Sequence, residues 1–279
     1  MTERNERMQY NVVVTDYDGT LAHDDNTVAE SSVKVILEFI NQGGTFMVST
    51  GRGPTGILPA LHRMGIEKGL VMCLQGNVVC DIPTGKMLAN TGMPKEMAVK
   101  ICQCLEGEGV SVVAYLDGIG HTNVITPNIK HYNDLNGAKS VEIYQPLSQY
   151  IAENDKKVNK IIVVEEPAVV TNCQNKYRDS FPGISVNKSA STLLEFVDAH
   201  MSKGIALSNF RKNHLTEKDK VIALGDTQID VSLLQAADMG VAVGNAMQEV
   251  KDVADLVTLT NDQNGVEYVI RKYCLGESV

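Results

Sequence analysis

Apolar strands alternate with amphipathic helices near both ends of the chain, and this pattern restricts the fold more than any other feature. Residues 9–15 form a largely apolar run that stops at an acidic, glycine-containing turn. The periodicity of residues 28–40 predicts a helix that ends at a Gly-Gly pair, and residues 45–49 predict a second strand. Apolar strands joined through helices are typical of a parallel sheet covered on both faces. The sequence therefore predicts an α/β fold with a Rossmann-like parallel-sheet core.

A change of pattern in the middle of the chain predicts an inserted domain. The alternation continues through a helix at about 54–64 and a strand at about 70–74, and a Pro-Thr-Gly-Lys segment then predicts a hairpin turn. Strands and helices of mixed order follow, and the first pattern resumes after residue 198. We predict a discontinuous core domain, residues 1–82 and 199–279, that is interrupted by an α/β cap domain of residues 83–198.

Composition and charge exclude several classes of protein. The chain of 279 residues has a formal charge of -9 and no run of Lys or Arg, which disfavours nucleic-acid binding. The six cysteines lack the spacing and the partner histidines of a zinc site, and no apolar stretch is long enough to cross a bilayer. The first residues are charged and do not resemble a signal peptide. We predict a cytoplasmic enzyme with reduced thiols and no membrane partner; its oligomeric state stays open.

Acidic side chains stand directly after predicted strands of the core. Asp16 and Asp18 follow the first strand, and Asp226 follows a strand at about 221–224. The carboxyl ends of parallel strands form the ligand-binding edge of an open α/β sheet, so we expect these carboxylates to converge. Ionised carboxylates repel each other unless a cation neutralises them, and a site made of oxygen ligands favours a hard ion. The sequence therefore predicts a Mg²⁺ site at this edge.

The acidic turn belongs to a set of motifs that resembles the haloacid dehalogenase (HAD) superfamily over almost the whole chain. The motifs are D-x-D-G-T-L at 16–21, S-T-G-R at 49–52, S-K-G at 202–204, G-D-x-x-x-D at 225–230 and G-V-A-V-G-N-A at 240–246. The insertion lies between the second and third motifs, which is similar to the Cof-like subclass with an inserted α/β cap (type IIB). The resemblance implies a magnesium-dependent phosphatase that hydrolyses a small phosphorylated metabolite, such as a sugar phosphate.

The resemblance also implies a role for each motif residue. Asp16 is the nucleophile that forms an aspartyl-phosphate, and Asp18 is the general acid and base. Thr50 and Gly51 hold a phosphoryl oxygen, and Lys203 neutralises both the nucleophile and the phosphoryl group. The implied metal ligands are Asp16, Asp18 through its backbone carbonyl, Asp226, and Asp230 directly or through water.

The sequence departs from the family pattern at two positions. Ile229 stands where the family usually has an asparagine that helps to hold the phosphate. The loss of one charge-assisted hydrogen bond costs roughly 1.5 to 3 kcal/mol, so we expect weakened activity, and Asn245 is our candidate for a compensating phosphate contact. Gln75 stands in a segment where Asn-Gly-Ala is more usual, which affects contacts that face the substrate.

Other functions remain open at this stage. The segment Gly51-Arg-Gly-Pro-Thr-Gly56 matches the G-x-G-x-x-G pattern of dinucleotide-binding proteins, but the next predicted strand ends in Gln75 and not in an acidic residue. A weakly active or non-catalytic phosphometabolite-binding homologue and a phosphomutase are the stronger alternatives. In the predicted cap, Asp117, Gly118 and His121 are candidates for substrate-selecting residues.

Overall fold

The computed structural model describes residues 8–278. Residues 1–7 and 279 of the predicted core domain, including most of the charged N-terminal segment, lie outside the described residues. Within the described part, the strands are β1 Val12–Thr15, β2 Thr45–Ser49, β3 Leu70–Cys73, β4 Val78–Asp81, β5 Met87–Asn90, β6 Val112–Leu116, β7 Ile119–Thr122, β8 Val141–Glu142, β9 Val158–Val164, β10 Ile184–Ala190, β11 Leu193–Asp198, β12 Val221–Gly225, β13 Met239–Ala242 and β14 Leu256–Val257.

Helices connect most of these strands. They are α1 Glu30–Asn41, α2 Pro54–Arg63, α3 Lys95–Glu108, α4 Pro127–Asn136, α5 Leu147–Glu153, α6 Pro167–Tyr177, α7 Lys203–His214, α8 Val231–Gln235, α9 Gln248–Lys251 and α10 Gly265–Val269.

The larger sheet has eight strands in the order β14-β13-β12-β1-β2-β3-β4-β5. The strands from β14 to β3 are parallel, and β4 and β5 add antiparallel strands at one edge. Side chains alternate between the two faces: Val13 and Phe46 pack with α1, α2 and α10, whereas Val14 and Met47 pack with α7 and α8. Each such side chain contributes about 1.5–3 kcal/mol when it is fully buried, so helices are needed on both faces. The predicted parallel-sheet α/β core is confirmed.

The smaller sheet has six strands in the order β10-β11-β9-β6-β7-β8, all paired antiparallel except β7 with β8. One face carries residues such as Ala114 and Phe196 and packs on α3, α5 and α6 in a hydrophobic cluster of its own. The other face carries Val113, Tyr115 and Ile162, which join the hydrophobic cluster of the larger sheet. The second face of the smaller sheet is therefore turned toward the larger sheet.

The predicted hairpin turn separates β4 from β5, which pair antiparallel. Both strands belong to the larger sheet, so this sheet extends to Asn90, past the predicted boundary at residue 82. The division into a core domain and a cap domain stays a prediction.

The structure also describes the state of the cysteines and the character of the helices. All six cysteines are free thiols, and all except the partly buried Cys104 are buried. None of the helices within residues 8–278 combines the length and the apolar character that crossing a bilayer requires.

Candidate active site

Four sequence motifs meet at the carboxyl edge of the larger sheet. Asp16 directly follows β1, Thr50 follows β2 and Asp226 follows β12. Lys203 is the first residue of α7, whose N-terminus lies at the same edge. Because β1 lies between β2 and β12 in the sheet, the three strand ends are adjacent although they are far apart in the sequence.

Lys203 is the centre of a buried ion-pair network. Its Nζ donates hydrogen bonds to Asp16 Oδ1 and to Asp230 Oδ1, both at 2.6 Å, and its side chain has no solvent exposure. Ser202 caps α7 by accepting a hydrogen bond from Ile205 N, which places Lys203 in the first turn. A cation is unfavourable at this end of a helix, so the two carboxylates compensate for the helix dipole as well as for burial. Burial lowers the pKa of Lys203, but Asp16 and Asp230 raise it above its ordinary value overall.

Asp230 and Asp226 are held by the loop after β12. The other oxygen of Asp230 accepts hydrogen bonds from the backbone N–H of Asp226 and from both the backbone and the hydroxyl group of Thr227. Asp226 Oδ1 accepts a hydrogen bond from Thr20 Oγ1 at 2.9 Å, which ties the loop to the turn after β1. Gly19 in that turn has a positive φ of 75°, and a Cβ there would lie 2.7 Å from Asp226 Oδ2. Only glycine allows this close approach.

The carboxylates form a cluster that suits a divalent cation. One oxygen each from Asp16, Asp226 and Asp230 lies within 4.8 Å of the others. Lys203 balances only one of the three negative charges. Burial raises the pKa of Asp16 well above its ordinary value, although Lys203 opposes the shift, and burial with the nearby Asp230 raises the pKa of Asp226 to about 6. These shifts reflect burial first and the neighbouring carboxylates second, and the all-oxygen donor set fits a hard ion such as Mg²⁺.

Asp18 is not part of this cluster through its side chain. Its carboxylate forms a bidentate ion pair with Arg52, in which Nε donates to Oδ2 at 2.9 Å and Nη2 donates to Oδ1. Arg52 also stacks over the ring of Tyr17, 5.0 Å from its centroid. Arg52 belongs to the S-T-G-R motif, but its ion pair with Asp18 was not predicted; its position beside Thr50 was the available signal.

Thr50 and Gly51, the predicted phosphate-binding residues, lie in the loop after β2. Thr50 is fully buried, and its Oγ1 accepts a hydrogen bond from Arg52 N at 3.1 Å. Asn245 donates from Nδ2 to Gly19 O at 2.8 Å and accepts from Asn261 N at 2.9 Å, so its side chain supports the turn after Asp16. Its predicted phosphate contact stays a prediction, and Ile229, half-buried beside Asp230, adds no polar group.

The cap residues suggested from sequence lie in different surroundings, and their substrate-selecting role stays a prediction. His121 is buried, its Nδ1 donates a hydrogen bond to Ile119 O, and its ring stacks on Tyr150. It pairs in register with Ala114, on the face of the smaller sheet that points away from the larger sheet. Asp117 accepts hydrogen bonds from Asn90 Nδ2 and from the backbone of Lys157, which fixes a turn. The sequence suggested a loop position for His121, but the residue lies in β7, where strand alternation fixes the face that its side chain occupies.

Ser49 leads to a stability prediction at the edge of the site. Its Oγ is buried without a hydrogen-bond partner among the described residues. An unsatisfied buried hydroxyl group is destabilising, so we expect Ser49→Ala to raise the free energy of unfolding by about 1 kcal/mol in urea denaturation. The control is Ser32→Ala, because Ser32 Oγ donates to Glu267 Oε2 at 3.2 Å, and we expect this change to lower stability. An equal loss of stability in both variants would show that Ser49 has a partner.

The comparison with known proteins identifies the family and the fold. The chain belongs to the haloacid dehalogenase-like hydrolase family, whose model matches residues 13–270. A crystal structure of a haloacid dehalogenase-like hydrolase from Bacteroides thetaiotaomicron superposes with a TM-score of 0.84 and 26% sequence identity, over 94% of this chain and 99% of the other. The predicted family and fold class are therefore confirmed.

Curated relatives indicate the class of reaction. Phosphatase YwpJ of Bacillus subtilis is 25% identical over 282 residues, which cover 93% of this chain and 98% of the relative. The 5-amino-6-(5-phospho-D-ribitylamino)uracil phosphatase YitU of the same organism is 23% identical over 271 residues, or 94% of this chain and 97% of the relative. These names, together with the family, confirm the predicted enzyme class, a HAD-type phosphatase.

One relative is much longer than this chain. The chloroplastic endoribonuclease YBEY of Arabidopsis thaliana is 25% identical over 276 residues, which are 95% of this chain but only 47% of the relative. This chain therefore spans about half the length of that protein.

Proposed function

We propose that this protein is a magnesium-dependent phosphatase that hydrolyses a small phosphorylated metabolite through an aspartyl-phosphate on Asp16. The observation that carries the proposal is the contact of Lys203 Nζ with Asp16 Oδ1 at 2.6 Å, next to Asp226 and Asp230 at the edge of the parallel sheet. A carboxylate held by a buried lysine at the ligand-binding edge of the sheet is oriented by a group that can also bind a phosphoryl oxygen.

The first step transfers the phosphoryl group to the protein. A carboxylate oxygen of Asp16 attacks phosphorus, the bond from phosphorus to the substrate oxygen breaks, and Asp18 gives its proton to the departing alcohol. Lys203 offsets the negative charge that accumulates between the nucleophile and the phosphoryl oxygens. Because Arg52 occupies both carboxylate oxygens of Asp18 in this structure, the proton transfer requires that this ion pair open when the substrate enters.

The second step hydrolyses the aspartyl-phosphate and regenerates the Asp16 carboxylate. Water attacks the phosphorus of the aspartyl-phosphate, Asp18 accepts the proton that the water loses, and Asp16 leaves as a carboxylate together with inorganic phosphate. Lys203 and the loop of Thr50 and Gly51 hold the phosphoryl oxygens in both steps. The same groups thus serve both half-reactions, and no second nucleophile from the protein is required.

Mg²⁺ is assigned to the acidic cluster. We propose that Asp16 and Asp226 bind the ion through side-chain oxygens, Asp18 through its backbone carbonyl, and Asp230 directly or through water. When bound, Mg²⁺ supplies positive charge that reduces the repulsion between the Asp16 carboxylate and the phosphate dianion.

The names of the relatives support a small phosphorylated metabolite as the substrate. One relative carries the name of a phosphatase for a phosphorylated ribitylaminouracil, which is a small metabolite. We expect turnover of p-nitrophenyl phosphate, or of a member of a panel of phosphorylated sugars, nucleotides and cofactors, when Mg²⁺ is present. Loss of turnover in EDTA supports the proposal. No turnover of any of these compounds favours the alternative of a phosphate-binding homologue, to which Ile229 points.

The pH dependence of stabilisation by Mg²⁺ tests the metal site without a substrate. The pKa of Asp226 rises from 3.8 to about 6 in the folded protein, so folding favours the protonated form. Without metal, the contribution of this group to stability is fully present below about pH 4 and is lost as the pH rises through about 6. Mg²⁺ replaces the proton, so we expect Mg²⁺ to raise the melting temperature more at about pH 8 than at about pH 5.

The matched variant is Asp226→Asn, which keeps the size of the side chain and removes its charge. We expect a markedly smaller rise of its melting temperature with Mg²⁺ than for the wild type, and a smaller change of that rise with pH. A rise that is the same in both proteins at both pH values would contradict the assignment of Asp226 to the metal.

A further inference from the structure

A second buried ion pair lies outside the acidic cluster. Lys160 Nζ in β9 contacts Glu195 Oε1 in β11 at 2.9 Å, and the two residues are only 1% and 6% exposed. Lys160 pairs in register with Tyr115 and Glu195 with Ile162, so the ion pair is on the face of the smaller sheet that is turned toward the larger sheet. The Lys160 ammonium group also lies 5.4 Å from the ring centroid of Tyr115.

This ion pair is hydrogen-bonded to two loops of the larger sheet. Lys160 Nζ donates to the carbonyl oxygen of Gly51 at 3.1 Å, and Glu195 Oε2 accepts from Gln75 Nε2 at 2.6 Å. Gln75 has a left-handed backbone with φ 59°, and its own N–H donates to Thr50 O at 3.1 Å. The contacts form a closed path between the smaller sheet and the loops that follow β2 and β3.

The peptide between Gly51 and Arg52 is held at both ends by this arrangement. Its carbonyl oxygen accepts from Lys160, and its N–H donates to Thr50 Oγ1 at 3.1 Å. Thr50 and Gly51 form the proposed phosphate-binding loop, and Arg52 carries the ion pair to Asp18. A rotation of this one peptide would displace the groups on both sides of it.

Stability does not account for the ion pair. Burying a lysine and a glutamate costs desolvation energy that their attraction often only offsets, and apolar residues of similar volume are frequently as stable in the same place. The pair contacts the one peptide that joins the phosphate-binding loop to Arg52, the partner of Asp18. This position indicates a role in the site.

We propose that Lys160 is a positioning residue: it fixes the Gly51–Arg52 peptide from the smaller sheet, and Glu195 and Gln75 hold Lys160 in place for this purpose. The inference rests on the proposed phosphatase function. The phosphate-binding loop then depends on the position of the smaller sheet. If that sheet is displaced, the Gly51–Arg52 peptide loses its hydrogen bond from Lys160, which is one of the two that hold it.

The test compares apolar replacements of the pair with the wild type. In Lys160→Met/Glu195→Met no charge is left buried, so we expect the melting temperature to stay within a few degrees of the wild type. We expect the Kd for inorganic phosphate, measured by calorimetry with Mg²⁺, to rise roughly 10-fold or more, since a charge-assisted anchor is lost. In kinetics with p-nitrophenyl phosphate, we expect KM to rise and kcat to fall.

Two further variants separate positioning from folding. Glu195→Gln keeps the size of the side chain and a hydrogen-bonding group toward Gln75 and Lys160, and we expect a smaller loss of phosphate affinity than in the double variant. Lys176→Met removes an exposed partner of Glu108 elsewhere on the smaller-sheet half, and we expect it to bind phosphate as the wild type does. Wild-type phosphate affinity in the folded double variant would overturn the proposal.

The two proposals fail in different ways. If the wild type binds phosphate but hydrolyses no monoester, the phosphatase function is overturned, and the ratio of phosphate Kd values still decides the role of Lys160. If the wild type binds no phosphate but turns over p-nitrophenyl phosphate, the phosphatase function stands, and wild-type KM and kcat in the folded double variant would overturn the role of Lys160.

Discussion

Replacing Asp16 by asparagine is expected to lower the hydrolysis of phosphate monoesters by at least about 1,000-fold, because an amide does not supply the carboxylate oxygen that attacks phosphorus. The protein should remain folded. The amide oxygen of the new side chain would still offer an acceptor to Lys203, which keeps its second contact with Asp230. Burial raises the pKa of Asp16, so removing its charge relieves a desolvation cost, and the melting temperature without metal should equal or exceed that of the wild type.

The measurement is the initial rate with p-nitrophenyl phosphate, with and without Mg²⁺, together with a melting curve for each protein. Asp179→Asn is the control, since this aspartate is exposed on the smaller-sheet half of the molecule, and it should retain the wild-type rate. Turnover by Asp16→Asn above a tenth of the wild-type rate would remove Asp16 from the role of nucleophile.

Replacing Lys203 by methionine is expected to damage both folding and turnover. Its ammonium group is fully buried between Asp16 and Asp230, each 2.6 Å away, and removing it leaves two buried carboxylates without their cation. Loss of one partner of a buried ion pair costs about 3–5 kcal/mol of unfolding free energy. Turnover should fall by roughly 100-fold or more even in the folded fraction, because no other buried cation contacts Asp16 among the described residues.

Urea unfolding and the rate with p-nitrophenyl phosphate measure the two effects separately. Lys212→Met, at an exposed position of the same helix, should change neither. In the double variant Lys203→Met/Asp230→Asn, one buried charge fewer is left, so we expect part of the stability to return while turnover stays low. If Lys203→Met is as stable as the wild type, the buried network does not have the electrostatic importance assigned to it.

The sequence predicted the core well because its signals are local. Most of the parallel strands are short, stop at a polar or glycine-containing turn and are followed by a helix pattern, and β2 begins and ends where it was predicted. The insert was predicted less completely. Helices α4 and α5 and strands β10 and β11 were not recognised, because α4 has a weakly apolar sequence and much of β10 is exposed and polar. Sheet pairing, and not periodicity, determines those strands.

The candidate site was predictable to the extent that motifs mark it. Asp16, Asp226 and Asp230 lie together because their motifs follow the adjacent strands β1 and β12, and Lys203 joins them from the start of α7. Contacts between distant residues had no such signal. Glu195 lies 35 positions from Lys160 and 120 from Gln75, and neither pairing can be read from spacing. The unusual Gln75 was noticed in the sequence, but its partner Glu195 appears only when β11 is placed beside β9.

The most direct test of the central claim is chemical capture of the intermediate. Borohydride reduces an acyl phosphate on aspartate to homoserine, which mass spectrometry locates within a peptide. We expect homoserine at position 16 when the wild type is quenched with borohydride during turnover of p-nitrophenyl phosphate with Mg²⁺, and none in Asp16→Asn or without substrate. Homoserine at a different residue, or its absence from a wild type that turns over rapidly under these conditions, would contradict an aspartyl-phosphate on Asp16.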